Sequence, residues 1–200
     1  MKQIFFAAAL MFATSQTSSA DQCHDRFSDL LVNGNDYAGP VRLHITQEIV
    51  GARTTLNYHY SDGEGNGMTE MIDPVDDPWS LFVGDNMYMS TDKGNTWKFI
   101  NSFDAEKNRE NAKVALSNDL SSATDVKCGE EILDGTSYEI VEGNYIASAI
   151  NGADIYEKLW VDPTSGWIAK SYRHMRSPAF ESKTTQVVEA APEFVLPTPN

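Results

Sequence analysis

The feature that most constrains this chain is an alternation of apolar and polar residues in short segments separated by glycine turns. In residues 41–49, apolar side chains alternate with Arg, His, Thr and Glu. Leu56, Tyr58 and Tyr60 alternate with polar residues after Gly51-Ala52. Because successive side chains of a strand point to opposite faces, the pattern predicts strands with one apolar face. The chain is therefore predicted to be mainly β.

The first two predicted strands form a hairpin. Glycine at the first position of a two-residue loop is typical of a type II′ turn, so Gly51-Ala52 would pair Val50 with Arg53. The register that follows places Ile45 opposite Tyr58, Leu43 opposite Tyr60, and His44 opposite His59. The apolar and aromatic residues would then share one face.

The rest of the chain predicts further strands and two helices. Residues 24–34 form a helix ended by Gly34, and residues 104–120 form a helix capped by Asp104. Tight hairpins are predicted around Asp134-Gly135 and residues 162–166, with Cys128 opposite Val141 in the first. The other predicted strands are Met68–Ile72, Trp79–Val83, Met87–Ser90, Thr96–Ile100 and Lys183–Glu189. Together they predict one antiparallel sheet of about eight to ten strands with one or two helices.

The first twenty residues have the pattern of a cleaved secretory signal. Lys2 precedes a short apolar run, and Ser18-Ser19-Ala20 supplies small residues before a cut at Asp21. The run is shorter than the ~20 apolar residues that cross a membrane. We therefore divide the chain into a signal peptide at 1–20, one domain at 21–190 and a proline-rich tail at 191–200, and expect a soluble periplasmic protein. The tail would be extended or loosely docked.

Cys23 and Cys128 are the two cysteines of the chain. An even number of cysteines in an exported protein favours a disulfide, and no C-x-x-C spacing indicates a redox or metal site. We predict a bridge that ties the N-terminal segment to a central strand.

The charge balance excludes one class of partner. The chain has 15 Lys plus Arg against 29 Asp plus Glu, a net charge of −14. Such a chain repels phosphate backbones and anionic membrane surfaces, so nucleic acid is not an expected partner.

The segment from Ser90 to Trp97 matches the Asp-box pattern S-x-D-x-G-x-T-W. Its fixed positions are Ser90, Asp92, Gly94, Thr96 and Trp97. The motif resembles hairpin turns of sialidase-type propellers, in which the Asp side chain bonds local backbone N–H groups and the Trp packs beneath the turn. One copy is too few for a propeller, so we interpret it as structural and not as evidence of glycosidase activity.

Two patterns resemble metal sites. Asp62, Glu64 and Asn66 would supply oxygens like the first half of an EF-hand loop, although the flanks predict strands. A solvated hairpin loop is the simpler interpretation, and a calcium-stabilised module is the alternative. His44 and His59 would pair across strands, but no third ligand has matching spacing. No cofactor is predicted.

Catalytic patterns are absent from the sequence. It has no G-x-S-x-G, H-E-x-x-H or phosphate-binding glycine loop. The paired acids at Asp76-Asp77 and Glu130-Glu131 are adjacent, and neighbours in a strand point to opposite faces. We therefore do not expect an enzyme.

Two segments resemble the LolA-type periplasmic lipoprotein carriers and their LppX-like relatives. Residues 159–170 are similar to that family's "lWvDp.tg.p.r" hairpin, and residues 84–89 followed by Trp97 are similar to its "dG…y…W" stretch. The order of helices and hairpins is similar over most of the chain. The resemblance implies a curved antiparallel sheet or incomplete β-barrel closed by one or two helices. It also implies a lid-fixing arginine on an early strand, for which Arg42 and Arg53 are candidates.

The resemblance implies that the apolar sheet face lines a cavity for acyl chains, although the same residues could fill a solid core. These residues are Leu43, Ile45, Tyr58, Tyr60, Leu81, Val83, Met87, Met89, Tyr138, Ile140, Leu159 and Val161. We predict a soluble periplasmic protein that holds a lipid or lipoprotein acyl chain. The alternative is a non-enzymatic envelope protein with a solid core that acts through a protein partner.

Overall fold

The computed structural model describes residues 19–35 and 39–199. The predicted signal peptide lies outside these residues, apart from Ser19 and Ala20. The helices are α1 (Ser19–Asn33) and α2 (Ala105–Asp119), with two short 3₁₀ turns at Leu120–Ser122 and Ser148–Ile150. The strands are β1 (Val41–Ile49), β2 (Thr55–Ser61), β3 (Gly67–Asp73), β4 (Trp79–Val83), β5 (Asn86–Ser90), β6 (Lys98–Ser102), β7 (Thr124–Leu133), β8 (Thr136–Ala147), β9 (Ala153–Val161), β10 (Ile168–Arg176) and β11 (Glu181–Ala190).

All of these strands belong to one 11-stranded sheet. Its order is β6-β5-β4-β3-β2-β1-β11-β10-β9-β8-β7, and each neighbouring pair is antiparallel. The sheet is open, because β6 and β7 form its two edges and do not pair. The predicted fold class, a mainly β sheet with one or two helices, is confirmed.

The connection between the edge strands requires the sheet to curve. A flat sheet of this size would be about 48 Å wide at ~4.8 Å per strand. Residues 103–123 join β6 to β7 through α2, and they span at most about 40 Å, since a helix rises only ~1.5 Å per residue. Contacts of α2 with α1 and β8 place this short connection on the side of the sheet that carries the helices. That side is therefore the concave one.

The first helix covers the β7–β9 part of the sheet. Phe27 and Leu30 pack on Val141, Leu159 and other buried residues of β8 and β9. Gly34, which follows the helix with φ of 63°, donates its N–H to the Leu30 carbonyl at 2.9 Å and ends the helix as predicted. We call this side of the sheet the helix face.

The predicted disulfide joins Cys23 of α1 to Cys128 of β7, with the two Cα atoms 5.7 Å apart. The predicted pairing is therefore confirmed. Its placement on a central strand is wrong, because β7 is an edge strand. The bridge holds α1 against the margin of the sheet, where the β-ladder ends.

The second helix runs from one end of the sheet to the other. Asp104 caps it by accepting a hydrogen bond from the Lys107 N–H at 2.9 Å, as predicted. The Ala105 N–H at its start donates to Asp85 in the β4–β5 turn. Asp119 at its end accepts a hydrogen bond from the Ser148 N–H beyond β8. Most of its side chains are exposed, so α2 adheres mainly through its C-terminal turn. No described helix is long and apolar enough to cross a membrane.

A second apolar cluster lies on the opposite side of the sheet. Antiparallel partners point to the same face of a sheet. Successive partners from β9 to β2 therefore all lie on the helix face, and these are Leu159, Ser171, Gln186, Ile45 and Asn57. Tyr60 lies an odd number of residues from Asn57, so it points to the other side. The cluster there comprises Met68, Leu81 and Trp97 with partly buried Tyr60, Trp79, Val83, Tyr88, Phe194 and Leu196. We call this side the tail face, because the C-terminal segment packs on it.

Candidate ligand-binding groove

The predicted cavity residues do not share one face. Ile45 lies opposite Asn57 and not Tyr58, one residue away from the predicted register. The reason is a longer loop: β1 ends at Ile49 and β2 begins at Thr55, instead of joining through a two-residue turn. A one-residue slip moves the side chains of a strand to the other face. The helix face holds Leu43, Ile45, Met87, Met89, Leu159 and Val161, and the tail face holds Tyr58, Tyr60, Leu81, Val83, Tyr138 and Ile140.

The same slip separates the two histidines. His44 lies opposite Tyr58, with ring centroids 5.1 Å apart, whereas His59 lies opposite Leu43 on the helix face. Their predicted cross-strand pairing is therefore wrong. Burial lowers the pKa of His59, whose Nδ1 is 3.1 Å from Thr69 Oγ1. Within residues 19–35 and 39–199, no three His, Cys, Asp or Glu side chains are grouped to hold a metal.

In the loop that resembles an EF-hand, the oxygens make local contacts. Asp62 Oδ1 accepts hydrogen bonds from the backbone N–H groups of Glu64 and Asn66, at 2.7 and 3.1 Å. Asn66 Oδ1 accepts from the Gly84 N–H at 2.7 Å. Although partial burial acts in the opposite direction, hydrogen bonds from Asn66 and Glu64 lower the pKa of Asp62. The Asp62 contacts close the β2–β3 loop, and the Asn66 contact joins it to the β4–β5 turn.

The Asp-box residues form a closed turn after β5. Asp92 Oδ1 accepts from the Thr96 N–H at 2.9 Å, and Asp92 Oδ2 accepts from Thr96 Oγ1 at 2.7 Å. Ser90 Oγ donates to Asp92 and accepts from the Gly94 N–H. Hydrogen bonds from Thr96 and Ser90 lower the pKa of Asp92 to about 2. Trp97 is buried on the tail face.

A groove lies on the helix face where the edge of α1 meets β1, β11, β10 and β9. One compartment has a volume of about 190 Å³ and is bordered by Leu30, Leu31, Leu43, Leu159, Ile168 and Val188 together with polar residues. The adjoining compartment has a volume of about 290 Å³ and is bordered mainly by polar residues, with Ile45 among them. Both compartments are bordered by Glu157, Ser171, Arg173 and Gln186. The groove is therefore amphipathic, with an aliphatic end and a polar end.

An ion pair occupies the middle of this groove. Arg173 Nε donates to Glu157 Oε2 at 2.6 Å, from adjacent strands β10 and β9. Glu157 is only 3% exposed, whereas the Arg173 side chain is 48% exposed. Burial raises the pKa of Glu157 although Arg173 opposes this effect, and the charge of Glu157 raises the pKa of Arg173. The arrangement is a buried carboxylate covered by a guanidinium that borders the groove.

The polar end carries hydrogen-bonding capacity that the protein itself does not use. The side chains of Gln47, Ser171, Thr184 and Gln186 border the groove. Within the described part of the chain these side chains make no hydrogen bond, and neither do the two terminal amino groups of Arg173. A bound group with several oxygen atoms would find donors on β1, β11 and β10 here.

This ion pair was not predicted from the sequence, and the two arginines predicted as candidates lie elsewhere. Arg42 points to the tail face, where it pairs with Glu189 and covers the Tyr58 ring at 4.7 Å. Arg53 lies in the β1–β2 loop and pairs with Asp77. Glu157 had a sequence signal, because it stands between Ile155 and Leu159 at the spacing of one strand face. A charged residue in such a series indicates either a buried partner or a site.

On the tail face, the C-terminal segment occupies part of the surface. The ring of Phe194 stacks on Tyr60, with centroids 4.3 Å apart and an interplanar angle of 17°. The Ala191 N–H donates to the Pro40 carbonyl at 2.9 Å. The tail is thus docked at least from Ala191 to Leu196. Of the two predicted states of the tail, extended or docked, the structure shows the docked one.

No protein-family model and no curated protein matches the sequence. Among solved structures, the chain is similar to the LolA superfamily protein NE2245 from Nitrosomonas europaea, with 11% identity, a TM-score of 0.34, and coverage of 90% of this chain and 96% of that one. It is also similar to a putative outer membrane lipoprotein-sorting protein domain from Vibrio parahaemolyticus, with 12% identity, a TM-score of 0.34, and coverage of 86% and 92%.

A third similar structure is the MucA/MucB complex of Pseudomonas aeruginosa. There the identity is 15% and the TM-score 0.44, and the match covers 88% of this chain but only 59% of that chain. The first of these structures is a LolA superfamily protein, the family that the sequence resembles.

Proposed function

We propose that the protein binds an amphiphile with an acyl chain, without covalent chemistry, in the groove of the helix face. One observation carries the proposal: aliphatic and polar side chains border the two ends of a single groove. Such a lining suits a molecule with an apolar chain and a polar headgroup, as small-molecule sites combine apolar walls with a few placed polar groups. The proposed location is the periplasm, which rests on the predicted signal peptide.

Burial of the chain would supply the affinity. Each CH₂ group removed from water contributes about 0.8 kcal/mol. Leu43, Leu159 and Ile168 offer an aliphatic surface on three strands for this contact. No catalytic group is needed for such a function.

The groove must widen to take a long chain. Its compartments measure about 190 and 290 Å³, at or below the small end of the ~300–1,000 Å³ that is usual for ligand pockets. Of the two helices, α1 borders the groove, through Leu30 and Leu31 and the segment that follows at Gly34 and Asn35. The proposal therefore includes an outward shift at this C-terminal end of α1 when a ligand binds.

Adjacent residues of β1 provide a matched test. Ile45 borders the groove, and Thr46 points to the opposite face. We expect Ile45→Asp to reduce binding of a fluorescent fatty acid strongly, since it places a second carboxylate in the groove, where a bound ligand would remove it from water. Thr46→Asp is the control and should bind normally, with circular dichroism confirming that both variants fold. Equal binding by a folded Ile45→Asp protein would contradict this site.

A second experiment addresses occupancy. Organic extracts of the purified mature protein, compared with a mock purification, should contain an enriched lipid by mass spectrometry. If the extracts are clean and the protein also fails to bind added fatty acids, the proposed function is wrong. The solid-core alternative, with a protein partner, would then be preferred.

A further inference from the structure

We propose that Arg173 anchors an anionic oxygen headgroup, a carboxylate or a phosphate, so that the ligand of the groove is an acidic amphiphile. This inference rests on the proposed function and adds the chemical class of the ligand. Glu157 is a positioning residue in this proposal, because it orients the guanidinium and does not contact the ligand. The headgroup would lie over β10 and β11, and its chain would extend toward Leu43 and Leu159.

The geometry of the ion pair supports this role. The Glu157 carboxylate holds Arg173 through Nε, at 2.6 Å. The guanidinium is a planar fork with five N–H donors, and the edge formed by its two terminal amino groups suits a carboxylate or phosphate bidentately. Neither terminal amino group has a partner among the described residues, and Arg173 borders both compartments. A fixed arginine with an open edge toward a groove is arranged to bind an oxyanion.

The neighbours of Arg173 complete the polar site. Ser171 lies two residues away on the same strand face, and Thr184 and Gln186 lie opposite on β11. Gln47 adds a fourth side chain from β1. All four are neutral and lack hydrogen bonds in the described structure, so they can donate to a headgroup without adding charge.

The charges facing the groove explain why the ligand needs an apolar chain. Arg173 is the one cation and Glu157 the one acid among the described residues that border the two compartments. The site is therefore neutral within a chain of net charge −14. A small free anion gains little long-range attraction from such a protein. An amphiphile gains the burial of its chain as well, so headgroup and chain are expected to bind together.

The test compares two variants that differ only in the guanidinium. Replacing Arg173 alone would leave Glu157 buried without a partner and would endanger folding. The informative pair is therefore Glu157→Gln and the double variant Glu157→Gln/Arg173→Gln. The probes are oleate, its uncharged methyl ester, dihexanoyl phosphatidylglycerol and inorganic phosphate, measured by calorimetric titration.

We expect the double variant to bind oleate or the phosphate lipid roughly 10- to 100-fold more weakly than Glu157→Gln does. Methyl oleate should bind both variants equally, and inorganic phosphate alone should bind neither. If only oleate loses affinity in the double variant, the headgroup is a carboxylate, and if only the phosphate lipid loses affinity, it is a phosphate. If the double variant does not fold, Glu157→Gln/Arg173→Lys replaces it. That variant keeps the charge but loses the fork, and it should bind the acid less tightly than Glu157→Gln.

Two results separate failure of this inference from failure of the proposed function. If acid and ester bind both variants with equal affinity, Arg173 only neutralises Glu157, and the inference is wrong while the groove function stands. Absence of binding for acid and ester alike, even to the unaltered protein, would refute the proposed function itself. Tight binding of inorganic phosphate would overturn the claim that the ligand is an amphiphile.

Discussion

The two apolar clusters of this protein differ in what covers them. On the helix face, Phe27 of α1 and the strand residues Val141 and Leu159 are at most 2% exposed, and a disulfide ties α1 to β7. On the tail face, the cover is an extended C-terminal segment in which Phe194 is only partly buried. The first cluster is a conventional core under a helix. The second is a sheet surface crossed by the docked segment from Ala191 to Leu196, which we call the strap.

The clusters also cover different halves of the sheet. The helix-face cluster lies on β8 and β9, and the tail-face cluster lies on β2 to β5. The groove with Arg173 lies where the cover that α1 gives to the helix face ends. A broad, half-covered sheet can retain a groove because no single core has to fill it.

The clusters also differ in the hydrogen bonding of their buried polar groups. On the tail face, the indole N–H groups of Trp79 and Trp97 are buried without a partner among the described residues. Each such group carries a desolvation cost of about 1–3 kcal/mol. The tail-face cluster should therefore contribute less to stability than the helix-face cluster.

The largest effect is expected for Phe27→Ala, which removes a fully buried ring between α1 and β8. The cavity and the lost burial should lower the free energy of unfolding by about 3–5 kcal/mol. Denaturant unfolding measures this change. Val114→Ala on α2, at a side chain that is 61% exposed, is the control and should change stability little. A loss below about 1 kcal/mol for Phe27→Ala would show that α1 is not packed as described.

A slightly smaller effect is expected from removal of the disulfide in a Cys23→Ser/Cys128→Ser variant. The bridge spans 105 residues, and loss of such a link in a small exported domain costs about 2–5 kcal/mol. The unaltered protein with reductant should melt like the variant without it. An unchanged melting temperature would mean that α1 is held by packing alone.

Phe194→Ala should have a smaller effect, because its ring is only partly buried against Tyr60. We expect a loss of about 1–2 kcal/mol, or a decrease in melting temperature of about 2–8 °C. Val195, which is 84% exposed, gives the matched control Val195→Ala. If both variants melt alike, the strap adds no stability, and the contrast between the clusters is even sharper than proposed.

The smallest effect is expected at the Asp-box turn and depends on pH. The pKa of Asp92 is lowered from 3.8 to about 2 by its hydrogen bonds. A carboxylate with a lowered pKa stabilises the fold above its unfolded pKa, and this contribution disappears as the pH falls from about 4 to 2. Asp92→Asn should therefore melt at a lower temperature than the unaltered protein at pH 7, and the difference should shrink toward pH 2. A difference that stays constant with pH would assign the role of Asp92 to something other than its charge.

Elements governed by local chemistry could be predicted from the sequence. Asp134-Gly135 adopts positive φ at both residues and closes the β7–β8 hairpin with Cys128 opposite Val141, as the dipeptide predicts. Asp104 caps α2, and Gly34 ends α1. In each case neighbouring residues supply the determining hydrogen bond or backbone conformation.

The β1–β2 hairpin shows where such prediction fails. Gly51 does adopt positive φ, but the turn is closed by Ala52 donating to Ile49, and the loop continues to Thr54. The Val50 N–H donates to the Glu181 carbonyl, a contact with the far end of the chain. A distant strand thus contributes to the loop, and the resulting slip decides which face Tyr58 and Tyr60 take.

The strands, the two helices, the disulfide and the closed turns follow from the sequence, because they depend on residues close in the chain or on the chemistry of a cysteine pair. The faces of the apolar residues, the docking of the tail and the contact of Arg173 with Glu157 are properties of the folded sheet. The physical reason is that a strand pattern specifies two faces without specifying what covers either one. That choice depends on pairing between strands far apart in the sequence, and here it places the groove.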